Sequence, residues 1–121
     1  MQINRFDLIL IFLGIALSSF GAITLKYGAI EIEYNRSAFQ IFFQMVLNWK
    51  IIIGLLFYFV PALIWIFLLK RIELSFLQPF FSLVYVLTPI LAMIFLGESI
   101  PLMRWIGISI IILGLSVTLI N

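Results

Sequence analysis

Ser75, Gln78, Ser82 and Tyr85 follow one another at intervals of three, four and three residues, with Pro89 four further on, in a stretch that carries no charge. On a helix that spacing gathers the four side chains on one face. Their chemistry is hydrogen bonding, since an amide and hydroxyls both donate and accept. An unpaired Gln amide in hydrocarbon would cost several kcal/mol, so the face should look towards protein or a hydrated cavity. Helix-to-helix bonding alone would satisfy it, but four such groups in a row favour a cavity. A second hydroxyl, Ser18, stands among Gly14, Gly21 and Ala22, with Leu25 beyond, on a small-residue face that permits close helix approach. Ser18 and Ser19 would otherwise bond back to carbonyls one turn earlier. Gly54, Tyr58, Pro61, Ala62 and Trp65 align in the same way, and Pro61 frees a backbone carbonyl and bends its helix. Packing and interfacial aromatic belts are the competing account of this third group.

Charge completes the chemical inventory. Lys26, Lys50, Lys70, Arg71 and Arg104 fall at the ends of apolar stretches, at headgroup depth, where they suit an anionic phosphate. Each would also snorkel to ordinary lipid phosphates. Lys26 stands out because it continues the helix that bears Ser18. Glu73 and Glu98 flank the third stretch at its ends, and no carboxylate falls near the middle of any stretch. With no His and no Cys, sites for zinc, haem, disulfides and His-based proton transfer are excluded, so neither a cofactor nor an enzymatic activity is expected. A net charge of +2 without a basic arm gives no reason to expect nucleic acid.

The elements that must hold these groups follow from composition. Of 121 residues, 65% are hydrophobic, 17% aromatic and 10% charged. Soluble domains carry about 25% charged residues, so the chain is expected in a membrane. A crossing helix needs about 20 apolar residues, which locates four spans at about 8–29, 51–69, 74–96 and 101–120. Ser99 is the expected cap of the fourth, with Pro101 in its first turn. The first span is expected to remain as an anchor and not to be removed as a signal peptide. Between the first two spans, Phe39, Phe42, Phe43, Val46 and Leu47 recur at helical spacing, opposite Gln40, Gln44 and Asn48. That run reads as an interfacial helix before the second span, the alternative being an outward extension of that span. The fold class is therefore an all-α membrane protein, one four-helix transmembrane domain over residues 1–121. Arg5, Lys70 and Arg71 on one side face Lys26, Arg36, Lys50 and Arg104 on the other, three against four, which fixes no orientation and leaves dual topology open. Gly107, Gly114 and Thr118 form a seam on the fourth span, assigned to packing or to contact between subunits. Trp49 and Trp105 suit interface belts.

Four short spans, a first helix rich in Gly and Ser that ends in Lys26, and the run from Gln78 to Leu87 together resemble the small members of the drug/metabolite transporter superfamily. From Lys50 to Glu98 the chain is most similar to subunits of the aminoarabinose-phosphoundecaprenol flippases, through Gly54 to Tyr58, Trp65, the connection Leu69 to Leu74 and the run Ser82 to Leu87. Ser18, Gly21 and Lys26 match the first-helix pattern of those subunits. The small multidrug resistance exporters resemble it in architecture, but the place of their essential Glu is taken here by Ser18.

That resemblance implies a dimer, of one chain or of two sister chains, with a chamber formed mainly by the first three spans and contact through the fourth. It implies transport of a polyprenyl-phosphate-linked sugar, or a similar anionic lipid headgroup, across a bacterial inner membrane. Ser18, Tyr58, Trp65, Gln78, Ser82 and Tyr85 are the expected substrate-binding residues, with Lys26 and Arg104 for the phosphate. Two other readings are carried forward. One is an exporter of cationic drugs or metabolites that relies on Glu98 or Glu73. The other is a non-transporting subunit that anchors a glycosyltransferase.

Overall fold

The computed structural model describes residues 2–120, and no strand occurs among them. Met1 and Asn121, the outermost positions of the expected domain, lie outside the described residues. Helix α1 covers Arg5–Ile30, three residues earlier than the apolar run suggests. Asn4 and Asp7 account for the difference by capping each other: the Asp7 N–H donates to Asn4 Oδ1 at 2.9 Å and the Asn4 N–H to Asp7 Oδ2 at 3.2 Å. Helix α2, Ala38–Leu47, starts on a similar reciprocal pair, Ser37 and Gln40. Asn48 ends it and caps α3, Trp49–Leu69, by accepting from the N–H groups of Lys50 and Ile51.

The third apolar stretch is helical from Leu74 to Leu96 but not uniform. Helix α4, Leu74–Phe80, passes through a 3₁₀ turn at Phe81–Leu83 into α5, Val84–Leu96. The tightening follows Pro79, which lacks the N–H that would bond to Ser75 one turn earlier. Gly97 closes α5 at φ 67°, a left-handed turn that glycine adopts without a side-chain penalty. Helix α6, Leu102–Thr118, takes Pro101 as its cap residue and has no side-chain cap, so Ser99 does not play that part. Arg5–Ile30, Trp49–Leu69 and Leu74–Leu96 are long and apolar enough to cross a membrane. At 17 residues, α6 reaches about 26 Å, near the lower end of what a crossing needs.

Helices α1 and α3 lie antiparallel and form the tightest contact in the molecule. A Cβ on Gly21 would stand 3.1 Å from the Gly54 carbonyl oxygen, and one on Gly54 would stand 3.1 Å from that of Gly21. The two backbones therefore touch at a point where only glycine fits. Ile11 and Ile15 of α1 pack with Leu68 and Ile72, and with Leu77, Phe80 and Val84 of the third stretch, to make the main core. Ile23, Leu91 and Ala92 join α1 to α5, where the Tyr27 hydroxyl also donates to the Phe95 carbonyl at 2.8 Å.

Two elements stand apart. Helix α2 buries no residue: Gln44 ties it to the preceding loop through both backbone groups of Glu33, while Phe39, Phe42, Phe43, Val46 and Leu47 remain exposed. Helix α6 buries only Ile108 and Leu115 among its described residues.

Candidate functional site

Beside Gly14, where an added Cβ would stand 3.7 Å from the Trp65 ring, α1, α3 and the third stretch line a cleft of about 350 Å³. Ser18 contributes from α1, Tyr58, Pro61, Ala62, Trp65, Ile66 and Leu69 from α3, and Gln78 with Phe81 from the third stretch. Ser18 falls near the midpoint of α1 and is 1% exposed, yet its Oγ has no hydrogen-bond partner among the described residues. Several other helical hydroxyls behave otherwise. Thr24, Ser109 and Ser116 each donate to the carbonyl four residues earlier at 2.9 Å, and Thr118 to the carbonyl three residues earlier. Ser18 and its neighbour Ser19 therefore do not take the back-bonded arrangement, and a buried hydroxyl left so costs about 1–3 kcal/mol.

Across the cleft the Trp65 indole N–H donates to Gln78 Oε1 at 3.1 Å, and the Phe81 ring meets Trp65 edge-on at 5.4 Å between centroids. This bond uses the amide oxygen and leaves the two N–H donors of Gln78 for another partner. Pro61, buried in the wall, supplies no N–H to the Phe57 carbonyl one turn earlier. Gln78 and Tyr58 are exposed at the rim. The cleft is thus apolar on its walls, with a hydroxyl at its base and an amide and a phenol at its mouth. That combination suits a molecule with several hydroxyls entering beside a hydrocarbon tail.

The ends of the α1–α3 pair carry ion pairs. At one end Arg71 binds the wholly buried Asp7 through both guanidinium Nη atoms and lies 5.4 Å from the Phe67 ring centroid. At the other Lys50 binds Glu31, which also accepts from Asn48 at 3.0 Å, and Arg36 binds Glu33 at 2.9 Å. The Lys50 ammonium, and after it the Asn48 amide, hold the Glu31 carboxyl below its ordinary range. Asp7 was not expected from charge counting, although the Asn4-x-x-Asp7 spacing is a legible capping signal. Arg5, Lys26, Lys70 and Arg104 have no ion-pair partner among the described residues.

Of the expected binding residues, the structure brings together Ser18, Tyr58, Trp65 and Gln78. Ser82 and Tyr85 do not join them. The 3₁₀ turn rotates the chain after Gln78, so the stripe expected on one helical face is broken, and Tyr85 points outward at 61% exposure. Lys26 is exposed about two turns beyond Ser18 along α1, outside the cleft. Arg104 lines a different pocket, of about 420 Å³, with Thr88, Glu98 and Gly107 between α5 and α6. Apart from the adjoining backbone of α6 itself, no described residue lies within 4 Å of a Cβ built on Gly107 or Gly114.

Comparison with known proteins gives a likeness over part of the chain. Along 53 residues, 44% of its length, the chain is 38% identical to the probable 4-amino-4-deoxy-L-arabinose-phosphoundecaprenol flippase subunit ArnE of Yersinia pseudotuberculosis, in serotypes O:1b and IB alike. The match takes in 46% of those proteins, so the chain spans about half the length of the curated relatives it matches. No protein-family profile matches the chain, and neither does any solved structure.

Proposed function

We propose that the chain is a transporter subunit of a bacterial inner membrane that lets a sugar-phosphate headgroup cross while its polyprenyl tail stays in lipid. The observation that carries this reading is the buried, unpartnered Ser18 hydroxyl at the base of a cleft that also presents the free Gln78 amide donors. A hydrophobic cation would need a carboxylate at that depth, whereas a neutral polyol needs donors and acceptors. Ser18, Gln78 and Tyr58 bond to sugar hydroxyls, and the Trp65 ring offers a flat apolar wall. Lys26 receives the phosphate at one surface. The partial likeness to flippase subunits supports the same substrate class.

In this reading α6 is the fourth crossing, α2 lies in the interface with its Phe side chains in lipid, and the α6 seam meets a second copy or a sister chain at Gly114, while Gly107 lines the pocket beside α5. Consumption of the product on the far side drives transport, since the spans hold no central acid to couple it to protons.

The test is reconstitution in liposomes with polyprenyl-phosphate-linked sugars, scoring headgroup exposure on each leaflet. Ser18→Ala, Gln78→Leu and Lys26→Gln should each slow movement at least about tenfold, the equivalent of one lost hydrogen bond of about 1.4 kcal/mol. Insertion should be unchanged. Wild-type rates in all three variants would remove the cleft from the mechanism, and a strict dependence on a proton gradient would remove the proposed driving force.

A further inference from the structure

The pocket between α5 and α6 holds an acid and a base that do not meet. Glu98, just past the turn at Gly97, and Arg104, in the first turns of α6, line the same 420 Å³ space without forming an ion pair. Neither pairs with another described residue, although Asp7, Glu31 and Glu33 each hold a basic partner. Deeper in the pocket Thr88 Oγ1 is buried without a hydrogen-bond partner among the described residues. Beside it Pro89 withholds an N–H from the Tyr85 carbonyl one turn earlier.

We propose that this pocket is a second lipid site, for a headgroup that carries a phosphate and a primary ammonium together. Arg104 supplies a bidentate donor to the phosphate, and Glu98 accepts from the ammonium. Thr88 meets the ester or hydroxyl oxygens that connect the headgroup to its chains. A purely anionic headgroup would set its charge against Glu98, and a cation alone would oppose Arg104, so the pair selects against both. A quaternary ammonium has no N–H to give Glu98 and binds more weakly. The occupant is a bilayer lipid and not a free metabolite, because Pro89, Ala92, Ile100, Ile108 and Ile111 line the rest of the pocket with apolar surface that acyl chains would cover. Both charged groups lie at helix ends, at the depth where headgroups reside. The site is separate from the Ser18 cleft and does not depend on what that cleft carries. Gly114, two turns beyond Gly107, stays available to a second chain.

Native mass spectrometry of the intact chain in mild detergent, with matched phosphatidylethanolamine, phosphatidylcholine and phosphatidylglycerol, tests the assignment. Phosphatidylethanolamine should be retained about tenfold more than either competitor, the ratio given by one charge-assisted hydrogen bond. Glu98→Gln and Arg104→Gln should each abolish that preference. Gly107→Leu, which fills open space in the pocket, should displace the lipid, whereas Gly114→Leu should not. Equal retention of the three lipids, or an unchanged preference in both Gln variants, would overturn the proposal. So would chain-free phosphoethanolamine binding as tightly as the lipid, or Gly107→Leu altering the mass of the assembly while the lipid stays bound. Flipping in liposomes, measured alongside, reports on the Ser18 cleft alone.

Discussion

Glycine marks both the α1–α3 contact and one face of α6, with opposite results. At Gly21 and Gly54 the missing side chains are used within the chain, and backbone meets backbone. At Gly107 and Gly114 an added Cβ would meet no described residue beyond the adjoining backbone of α6. A small-residue seam therefore marks closeness to something, and the fold decides whether that something is in the same chain. The first seam fixes the scaffold around the cleft. The second is left for what lies outside: a lipid, another subunit, or both.

Substitution at the two seams should break this contrast open. Gly54→Leu forces a Cβ to 2.7 Å from Leu25 Cγ and towards the Gly21 carbonyl, which cannot retreat. It should cost about 3 kcal/mol or more and lower the thermal unfolding midpoint in detergent sharply. Gly114→Leu should leave that midpoint within about 0.5 kcal/mol of wild type and change self-association instead. Equal losses at the two positions would mean that α6 is packed as firmly as α3.

A smaller effect is expected at the ion pairs that close the α1–α3 seam. Arg71→Gln strands the buried Asp7 carboxylate, and because the Arg71 side chain is 40% exposed, solvent screens part of the loss. About 2 kcal/mol should disappear from unfolding stability, and adding Asp7→Asn should restore some of it in a double-mutant cycle.

The smallest effect lies at the opposite, exposed end. Glu31 is held below its ordinary value of 4.5, so its contribution is present above that value and is lost as pH falls through the lowered one. Protection from hydrogen exchange at the Asn48, Lys50 and Ile51 amides, taken relative to the intrinsic rate at each pH, should fall below about pH 4.5 in the wild type. In Glu31→Gln that protection should not change across the range.

The limits of Trp49–Leu69 and Leu74–Leu96 were legible to within two residues, because unbroken apolar runs leave helix as the only way to satisfy the backbone in lipid. The amphiphilic run around Phe39 to Leu47 was equally plain, since its period is helical and Gln44 falls on the inner side. Three features were not legible. The 3₁₀ turn at Phe81–Leu83 leaves the spacing of Gln78, Ser82 and Tyr85 unchanged while altering the direction in which they point. Charge counting treats Arg71 and Lys50 as free cations, although each is neutralised by an acid distant in sequence. The missing partner of Ser18 is a property of packing, which no local pattern encodes.

Helices of unequal length have a mechanical consequence. At 26 residues α1 measures about 39 Å, whereas α6 measures about 26 Å. With α6 as the proposed fourth crossing, no flat bilayer matches both, so α1 must tilt and the leaflets beside α6 must pinch inward. Such thinning would bring the two headgroup layers closer and shorten the journey of any polar cargo moving between them.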